Sequence, residues 1–211
     1  MQRLLEMTKY ENLEYAKGGQ FIAGVDEVGR GPLAGPVVAA AVVLPQDFQV
    51  IGIDDSKKLS EKKREYFSAV IKEEAIAYGV GLVDHERIDQ INILEATKEA
   101  MIQAVTQVEN KLEEKYGKGL DHILFDALRI KKIETPQTGI IKGDSKSVSI
   151  AAASIIAKVT RDHIMIEFSE KYPYYSFETN KGYGTKAHYQ GIYTHGICPI
   201  HRRSFLKNLD K

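Results

Sequence analysis

The alternation of apolar and polar positions predicts a chain that mixes strands with helices. Short runs of apolar, β-branched and small residues, bounded by Gly and Pro, are typical of buried strands. These runs predict strands over Phe21–Val25, Val37–Leu44, a stretch near Ile51, Ala77–Val83 and His122–Phe125. Three strands come first and the later ones alternate with helices, an order that indicates an α/β protein.

Apolar residues spaced three and four positions apart predict the helices. Ser60 stands directly before one such segment and is a typical N-cap. The predicted helices cover Leu4–Tyr15, Ser60 toward Ala75, Ile93 to about Lys115, Ser147–Tyr172 and Thr185 to about His195. At 211 residues, the chain fits one domain with a small appendage. We place a helical appendage at residues 1–20 and the domain at residues 21–211.

Composition narrows the class of protein. With 43% hydrophobic residues, the chain can bury a full core. The sequence has no apolar run of about 18 residues, and Met1–Tyr10 carries charges where a signal peptide would be apolar. The single cysteine, Cys198, excludes an intrachain disulfide and a zinc site of several cysteines. We therefore expect a cytoplasmic protein that does not span a membrane, and we expect a monomer.

Charge is unevenly distributed although the formal net charge is zero. Residues 1–141 hold 18 Lys and Arg against 23 Asp and Glu, whereas residues 142–211 hold 11 against six. No acidic residue lies between Thr179 and Leu209, where basic, tyrosine and histidine residues interleave. Cations neutralise phosphates and aromatic rings stack on sugars or bases. This segment indicates a nucleic-acid partner, and a solvated basic tail is the alternative.

Candidate chemistry begins where the first strand ends. Asp26 and Glu27 follow the apolar run, and Arg30 lies between two glycines that allow a ligand to approach the backbone closely. Neighbouring strand residues point to opposite faces, so both carboxylates reach one spot only if the strand ends or distorts there. The alternative is an ordinary acidic strand end at which Arg30 pairs with Asp26.

Two further carboxylates are predicted at element ends. Asp126 closes an apolar strand, and Asp144 precedes the alanine-rich helix, where simple capping is the alternative. Two carboxylates about 4 Å apart repel by about 4 kcal/mol at an effective dielectric near 20, so a converging cluster must take up protons or cations. Magnesium and manganese suit an all-oxygen site, and a pair of such ions cleaves phosphodiesters. The pattern therefore predicts a nuclease.

Several motifs in one order resemble bacterial ribonuclease HII, the type 2 ribonuclease H. The motifs lie at 26–36 (DEVGRGPLAGP), 55–59 (DSKKL), 91–94 (INIL), 142–146 (KGDSK), 150–159 (IAAASIIAKV), 181–185 (KGYGT) and 201–205 (HRRSF). The resemblance implies a ribonuclease H-like fold, with a central five-stranded mixed sheet flanked by helices and a C-terminal helical segment. From about residue 173, that segment is expected to bind substrate.

The resemblance also implies roles for individual residues. Asp26, Glu27 and Asp126 are expected to bind two Mg²⁺ or Mn²⁺ ions, and Asp144 to complete the catalytic set. The backbone of Gly29, Arg30 and Gly31 is expected to recognise the 2′-hydroxyl of a ribonucleotide. Tyr183 is expected to stack on the next sugar. Weaker candidates for phosphate contacts are Lys57, Ser147 and Lys181, with solvated lysines and a helix-start serine as the alternatives.

One departure from the family pattern is local. The family usually has Gly after the strand-ending Asp, whereas Ala127 follows Asp126 here. Ala accepts most backbone conformations, so the departure bears on a turn more than on the metal site.

The implied activity is cleavage of the RNA strand of RNA/DNA hybrids and of the 5′ side of single ribonucleotides embedded in duplex DNA, leaving a 3′-hydroxyl and a 5′-phosphate. Its role would be to remove ribonucleotides from DNA. A type 3 ribonuclease H, a junction resolvase and a non-catalytic hybrid binder are the alternatives. The sequence indicates no protein partner.

Overall fold

The computed structural model describes residues 6–48, 52–53, 56 and 59–207. Its centre is a five-stranded sheet in the order β3-β2-β1-β4-β5. The strands are β1 (Ile22–Val28), β2 (Val37–Val43), β3 (Ala77–Val83), β4 (His122–Asp126) and β5 (Gln137–Ile140). The β1–β2 and β2–β3 pairs are antiparallel, whereas β1–β4 and β4–β5 are parallel. The expectation of a five-stranded mixed sheet is confirmed.

Helices cover both faces of the sheet. They are α1 (Lys9–Tyr15), α2 (Glu61–Glu74), α3 (His85–Ile91), α4 (Ile93–Tyr116), α5 (Val148–Lys171), α6 (Phe177–Asn180) and α7 (Lys186–His195). The long helix α4 buries its apolar side against one face of β1, β2 and β3. Helices α2 and α5 cover the opposite face of β2, and α5 also contacts β1. None of the described helices has the length and hydropathy that a membrane span requires.

Helix α5 lies unusually close to the centre of the sheet. A Cβ built at Gly24 of β1 would stand 2.0 Å from the main-chain carbon of Ser149. Any side chain there would therefore push the helix away from the strand. Because side chains alternate along a strand, Asp26 lies on the same face as Gly24 and so points toward α5.

Most predicted elements are confirmed within one to three residues. Ser60 accepts a hydrogen bond from the Lys63 N–H as the N-cap of α2, and Thr185 caps α7 in the same way. The sequence missed β5. The strand predicted near Ile51 lies largely outside the described residues, and the described Gly52 is in a turn.

The N-terminal helix packs closely on the rest of the chain. Met7 is 1% exposed and belongs to the core that α5 and β2 share. Glu11 of α1 is 3% exposed and accepts hydrogen bonds from Ser147 and Ser149 at the start of α5. The division into an appendage and a domain stays a prediction, but the described part of residues 1–20 contributes to one continuous core.

Candidate active site

Strand β1 carries the first two carboxylates, and it continues past them. Asp26 pairs with Ala40 and Glu27 with Ala39 of β2, so the pairing on this side runs to Val28. Asp26 is 5% exposed and faces α5, whereas Glu27 faces the α4 side. The expectation that the strand ends or distorts at these residues is wrong on the β2 side. On the other side, the pairing with β4 stops at Val25.

Strand β4 brings Asp126 beside Asp26. The two strands are parallel and the last matched pair is Val25 with Phe125, so the next residue of each strand is an aspartate. Ala127 then turns the chain with φ +56°, and its N–H donates to the Ile140 carbonyl at 3.0 Å. This left-handed conformation favours glycine, so the departure from the family pattern does bear on a local turn.

Asp144 lies in a short 3₁₀ helix, Gly143–Ser145, directly before α5. The Gly143 N–H donates to Asp126 Oδ1 at 2.8 Å. A Cβ at Gly143 would stand 2.6 Å from the end of the Ile150 side chain and 3.4 Å from Asp126 Cα, so a larger residue would require Ile150 to move. Asp144 is 6% exposed. The 3₁₀ helix therefore positions Asp144 beside the end of β4.

The carboxylates repel one another in a buried setting. Burial, the Glu27 charge and the Asp126 charge raise the pKa of Asp26 well above its usual value, although a hydrogen bond from Ser154 opposes the shift. Burial also raises the pKa of Glu27, with a contribution from Asp126, and the Arg30 guanidinium only partly offsets it. Excess negative charge is thus concentrated where β4 ends beside β1.

Arg30 pairs with Glu27 rather than with Asp26. Its Nη1 lies 3.3 Å from Glu27 Oε1, and half of the arginine side chain is exposed. Across the described ranges, no three acidic, histidine or cysteine side chains stand in an arrangement that ligates a metal. These carboxylates are therefore not arranged around a cation as they stand, and the ion pair with Arg30 holds Glu27 away from such a site.

The two glycines that flank Arg30 have different surroundings. Gly29 has φ +93°, and a Cβ there would stand 2.2 Å from Arg161 Nε, so this glycine is required by packing. Gly31 is exposed, and its nearest neighbour to a built Cβ is the Tyr183 ring at 3.5 Å. Of the two, Gly31 is the one that a ligand can reach.

We call residues 29–35 the glycine loop. A second loop, Lys181–Thr185, lies against it. The Leu33 N–H donates to the Gly182 carbonyl at 2.8 Å. Tyr183 is 44% exposed, and its carbonyl receives a hydrogen bond from His188 Nδ1 at 2.9 Å. Lys181 is half-buried and its Nζ donates to the Glu178 carbonyl. The structure therefore brings Gly31 and Tyr183 together on one open surface.

Of the candidate phosphate contacts, Ser147 is not at the surface. Ser147 is fully buried, and its hydroxyl donates to Glu11 at 2.5 Å while accepting from the Ile150 N–H. The expectation that Ser147 contacts phosphate is therefore corrected: this serine starts helix α5. Lys57 lies outside the described residues.

The sequence also missed several buried polar residues. Ser154 bonds to Asp26 and its Oγ lies 2.9 Å from Ser56 Oγ. Arg202 and His201, which the sequence grouped with the basic surface segment, are 0% and 2% exposed. Arg161 is likewise fully buried. The motif at 201–205 drew attention to His201 and Arg202, but the polarity of an arginine does not by itself distinguish burial from exposure.

Comparison with known proteins gives one consistent family. The family model described as Ribonuclease HII matches residues 23–208. Ribonuclease HII of Listeria innocua is 57% identical over 203 residues, which cover 96% of this chain and 74% of that protein. Ribonuclease HII of Ruminiclostridium cellulolyticum is 54% identical over 208 residues, which cover 99% and 78% respectively.

Solved structures agree with these matches. Ribonuclease H2 from Pyrococcus horikoshii aligns with a TM-score of 0.68 at 29% identity, over 87% of this chain and 93% of that one. A PCNA:RNase HII complex from Archaeoglobus fulgidus contains a chain with a TM-score of 0.69 at 26% identity, over 89% and 94%. Bst-RNase HIII in complex with Mn²⁺ gives 0.64 at 19% identity, over 91% and 66%, which supports the fold alone.

Proposed function

Because the chain belongs to the ribonuclease HII family and is thus an endonuclease that hydrolyses phosphodiester bonds, we propose that it cleaves at ribonucleotides within duplexes. Its substrates are the RNA strand of RNA/DNA hybrids and single ribonucleotides embedded in DNA, which it cuts on the 5′ side. The products carry a 3′-hydroxyl and a 5′-phosphate. The observation that carries the proposal is the register of the sheet, which sets Asp126 of β4 beside Asp26 and Glu27 of β1.

These carboxylates suit a divalent cation. Their oxygens are hard ligands, and a cation would relieve the repulsion that raises the pKa of Asp26 and Glu27. Asp26 and Asp126 would hold the metal from neighbouring strand positions, and Glu27, on the opposite face of β1, would join them by leaving its ion pair with Arg30. Asp144 lies beside Asp126. When bound, Mg²⁺ or Mn²⁺ supplies an activated water and neutralises the oxygen that departs from phosphorus.

The remaining residues orient the carboxylates and the substrate. The Ser154 hydroxyl donates to Asp26, which favours the charged carboxylate. The Gly143 N–H holds Asp126 through Oδ1. Gly31 is exposed beside Tyr183, which supports recognition of the 2′-hydroxyl by the glycine loop and stacking of the tyrosine on the adjacent sugar. Lys181 remains a candidate phosphate contact, provided that its ammonium leaves the Glu178 carbonyl.

A duplex cleavage assay tests the proposal. One substrate carries a single ribonucleotide, a second is a long RNA/DNA hybrid and a third is all DNA, each with Mg²⁺, with Mn²⁺ and with chelator. We expect cleavage of the first two in either metal and none of the third. Equal cleavage of all three duplexes, or undiminished cleavage in chelator, would contradict the proposal. Cleavage of the hybrid alone would instead favour type 3 specificity.

A further inference from the structure

Two arginines lie fully buried behind the glycine loop. Arg161 of α5 and Arg202 near the C-terminus are each 0% exposed. Burying a guanidinium costs several kcal/mol unless its donors are satisfied. Burial and the charge of Arg161 lower the pKa of Arg202 only to about 9, so it stays charged at neutral pH. Two adjacent buried cations are stable only if their N–H donors find hydrogen-bond acceptors.

Main-chain carbonyls give each of the three guanidinium nitrogens of both arginines a hydrogen-bond partner. Arg202 donates to the carbonyls of Gly29 at 2.6 Å, Arg30 at 3.0 Å and Gly35 at 2.9 Å. The planar guanidinium thus binds three carbonyls of one loop at once, a geometry that a lysine ammonium does not reproduce.

Arg161 extends the same arrangement to the second loop. It donates to Ala34 at 3.2 Å, to Pro36 at 2.9 Å and to Lys181 at 2.8 Å. The two arginines therefore fix the glycine loop internally and join it to the loop that carries Tyr183.

The Arg202 bonds also determine where two amide groups point. The described chain has no cis peptide bond, and in a trans peptide the carbonyl and the next N–H point in opposite directions. The carbonyls of Gly29 and Arg30 point inward to Arg202, so the N–H groups of Arg30 and Gly31 point outward. Both of these residues are exposed. Two successive outward N–H groups form a concavity that receives an oxygen ligand.

We propose that Arg202 is a positioning residue for ribonucleotide recognition: it orients the Arg30 and Gly31 amides toward the substrate oxygens beside Tyr183. This inference rests on the proposed function for the identity of the ligand. Arg202 does not touch substrate and acts only through the peptide planes that it holds. Arg161 supports the same loop from the side of α5.

Arg202→Lys tests this role because it keeps the charge and loses the planar fork. In the free protein, we expect amide hydrogen exchange in peptides covering residues 29–35 to accelerate at least about tenfold. With the single-ribonucleotide duplex, we expect KM to rise about tenfold and kcat to change less than about threefold. The Mn²⁺ dependence of cleavage should stay the same.

Val108→Ala is the matched control. Val108 is 0% exposed in α4, on the other face of the sheet, so its truncation destabilises the fold without touching either loop. We expect this variant to lose thermal stability while the exchange of residues 29–35 and the KM stay near wild type. If Val108→Ala raises KM as much as Arg202→Lys does, the effect is general destabilisation and the inference fails.

The remaining outcomes also decide the question. Unchanged exchange in residues 29–35 of Arg202→Lys would overturn the inference. If Arg202→Lys does not fold, Arg202→Gln gives the same two readouts, and failure of both variants to fold would overturn a local positioning role. If the wild-type protein cleaves no ribonucleotide substrate, the proposed function fails, while the exchange measurement still tests whether Arg202 holds the loop.

Discussion

Two regions of the molecule bury charge: an acidic edge formed by Asp26, Glu27 and Asp126, and the pair Arg161 and Arg202 behind the glycine loop. They differ in how far their surroundings compensate that charge. At the acidic edge, where β1 carries Asp26 and Glu27 beside Asp126, the pKa values of Asp26 and Glu27 are raised first by burial and further by the neighbouring carboxylates. Behind the glycine loop, each guanidinium of Arg161 and Arg202 donates to three carbonyls. The carboxylates of the acidic edge are thus not compensated for their burial, whereas every guanidinium nitrogen of the two arginines has a carbonyl partner.

The acidic edge has the electrostatics of a cation-binding site, whereas the two buried arginines have those of a structural support for the glycine loop. Under-compensated buried charge lowers stability and is tolerated where a cation or proton restores the balance. Satisfied buried charge fixes backbone geometry and needs no ligand. The predictions below test these two assignments separately.

The largest expected effect is on catalysis at the acidic edge. Asp26→Asn removes one charge of the proposed cation site, and we expect cleavage of the single-ribonucleotide duplex to fall at least about a thousandfold. Substrate binding, measured by fluorescence anisotropy, should remain. Loss of both binding and folding would instead assign Asp26 a structural role.

The same variant should gain stability without metal. The raised pKa of Asp26 means that the folded state holds its proton more tightly than the unfolded state does. The carboxylate therefore destabilises the fold as pH rises from about 4, the unfolded pKa, through the raised folded pKa. In chelator, Asp26→Asn should raise Tm at pH 7 more than at pH 5, by about 2–4 °C for each kcal/mol.

Asp121→Asn is the control with the opposite sign. Burial alone would raise the pKa of Asp121, but hydrogen bonds from Lys118 and from the Phe21 and Gln20 N–H groups lower it. Its carboxylate therefore stabilises the fold at neutral pH, and the stabilisation is lost as pH falls through the lowered pKa. We expect Asp121→Asn to lower Tm at pH 7. Equal signs for the two variants would contradict the electrostatic difference.

Substitutions in the glycine loop should have the next largest effects, on stability at Gly29 and on KM at Gly31. Gly29→Ala places a Cβ 2.2 Å from Arg161 at a positive φ, and we expect it to lower stability by about 2–3 kcal/mol. Gly31→Ala meets only the Tyr183 ring at 3.5 Å, and we expect its Tm to stay near wild type while KM rises. Thermal unfolding and steady-state kinetics of both variants measure the contrast. Equal destabilisation would mean that Gly31 also serves packing.

The smallest expected effect lies at the turn after β4. Ala127 has φ +56°, so Ala127→Gly should raise the free energy of unfolding by about 1 kcal/mol. The control is Ala69→Gly on the exposed side of α2, which should lower it by a similar amount. Urea unfolding of both variants measures the pair. A loss of stability in Ala127→Gly would contradict the observed turn.

The sequence predicted the elements whose patterns are strong. The β-branched runs of β1 and β2, the apolar spacing of α4 and the Ser60 cap all gave the correct element type. Strand β5 was missed because it is a four-residue edge strand, QTGI, with one buried apolar side chain. Short edge strands carry too few alternations to be recognised.

The site was predictable in part, because a strand-ending carboxylate has a recognisable pattern and burial of a polar side chain does not. The sequence placed Asp26 and Asp126 each after an apolar strand run, and the structure adds the parallel register that sets them side by side. That Ser147 is fully enclosed and that Arg202 lies behind the glycine loop depends on packing between segments far apart in sequence. Only the three-dimensional arrangement supplies this information.

The most direct test of the central claim is a Mn²⁺ titration of thermal stability, with wild type and Asp26→Asn compared in the same buffer. Ligand at a hundred times its Kd stabilises the folded state by about 2.7 kcal/mol. We expect Mn²⁺ to raise the wild-type Tm by several degrees and the Asp26→Asn Tm much less. An equal rise in both proteins, or no rise in wild type, would contradict the claim that this acidic edge binds a divalent cation.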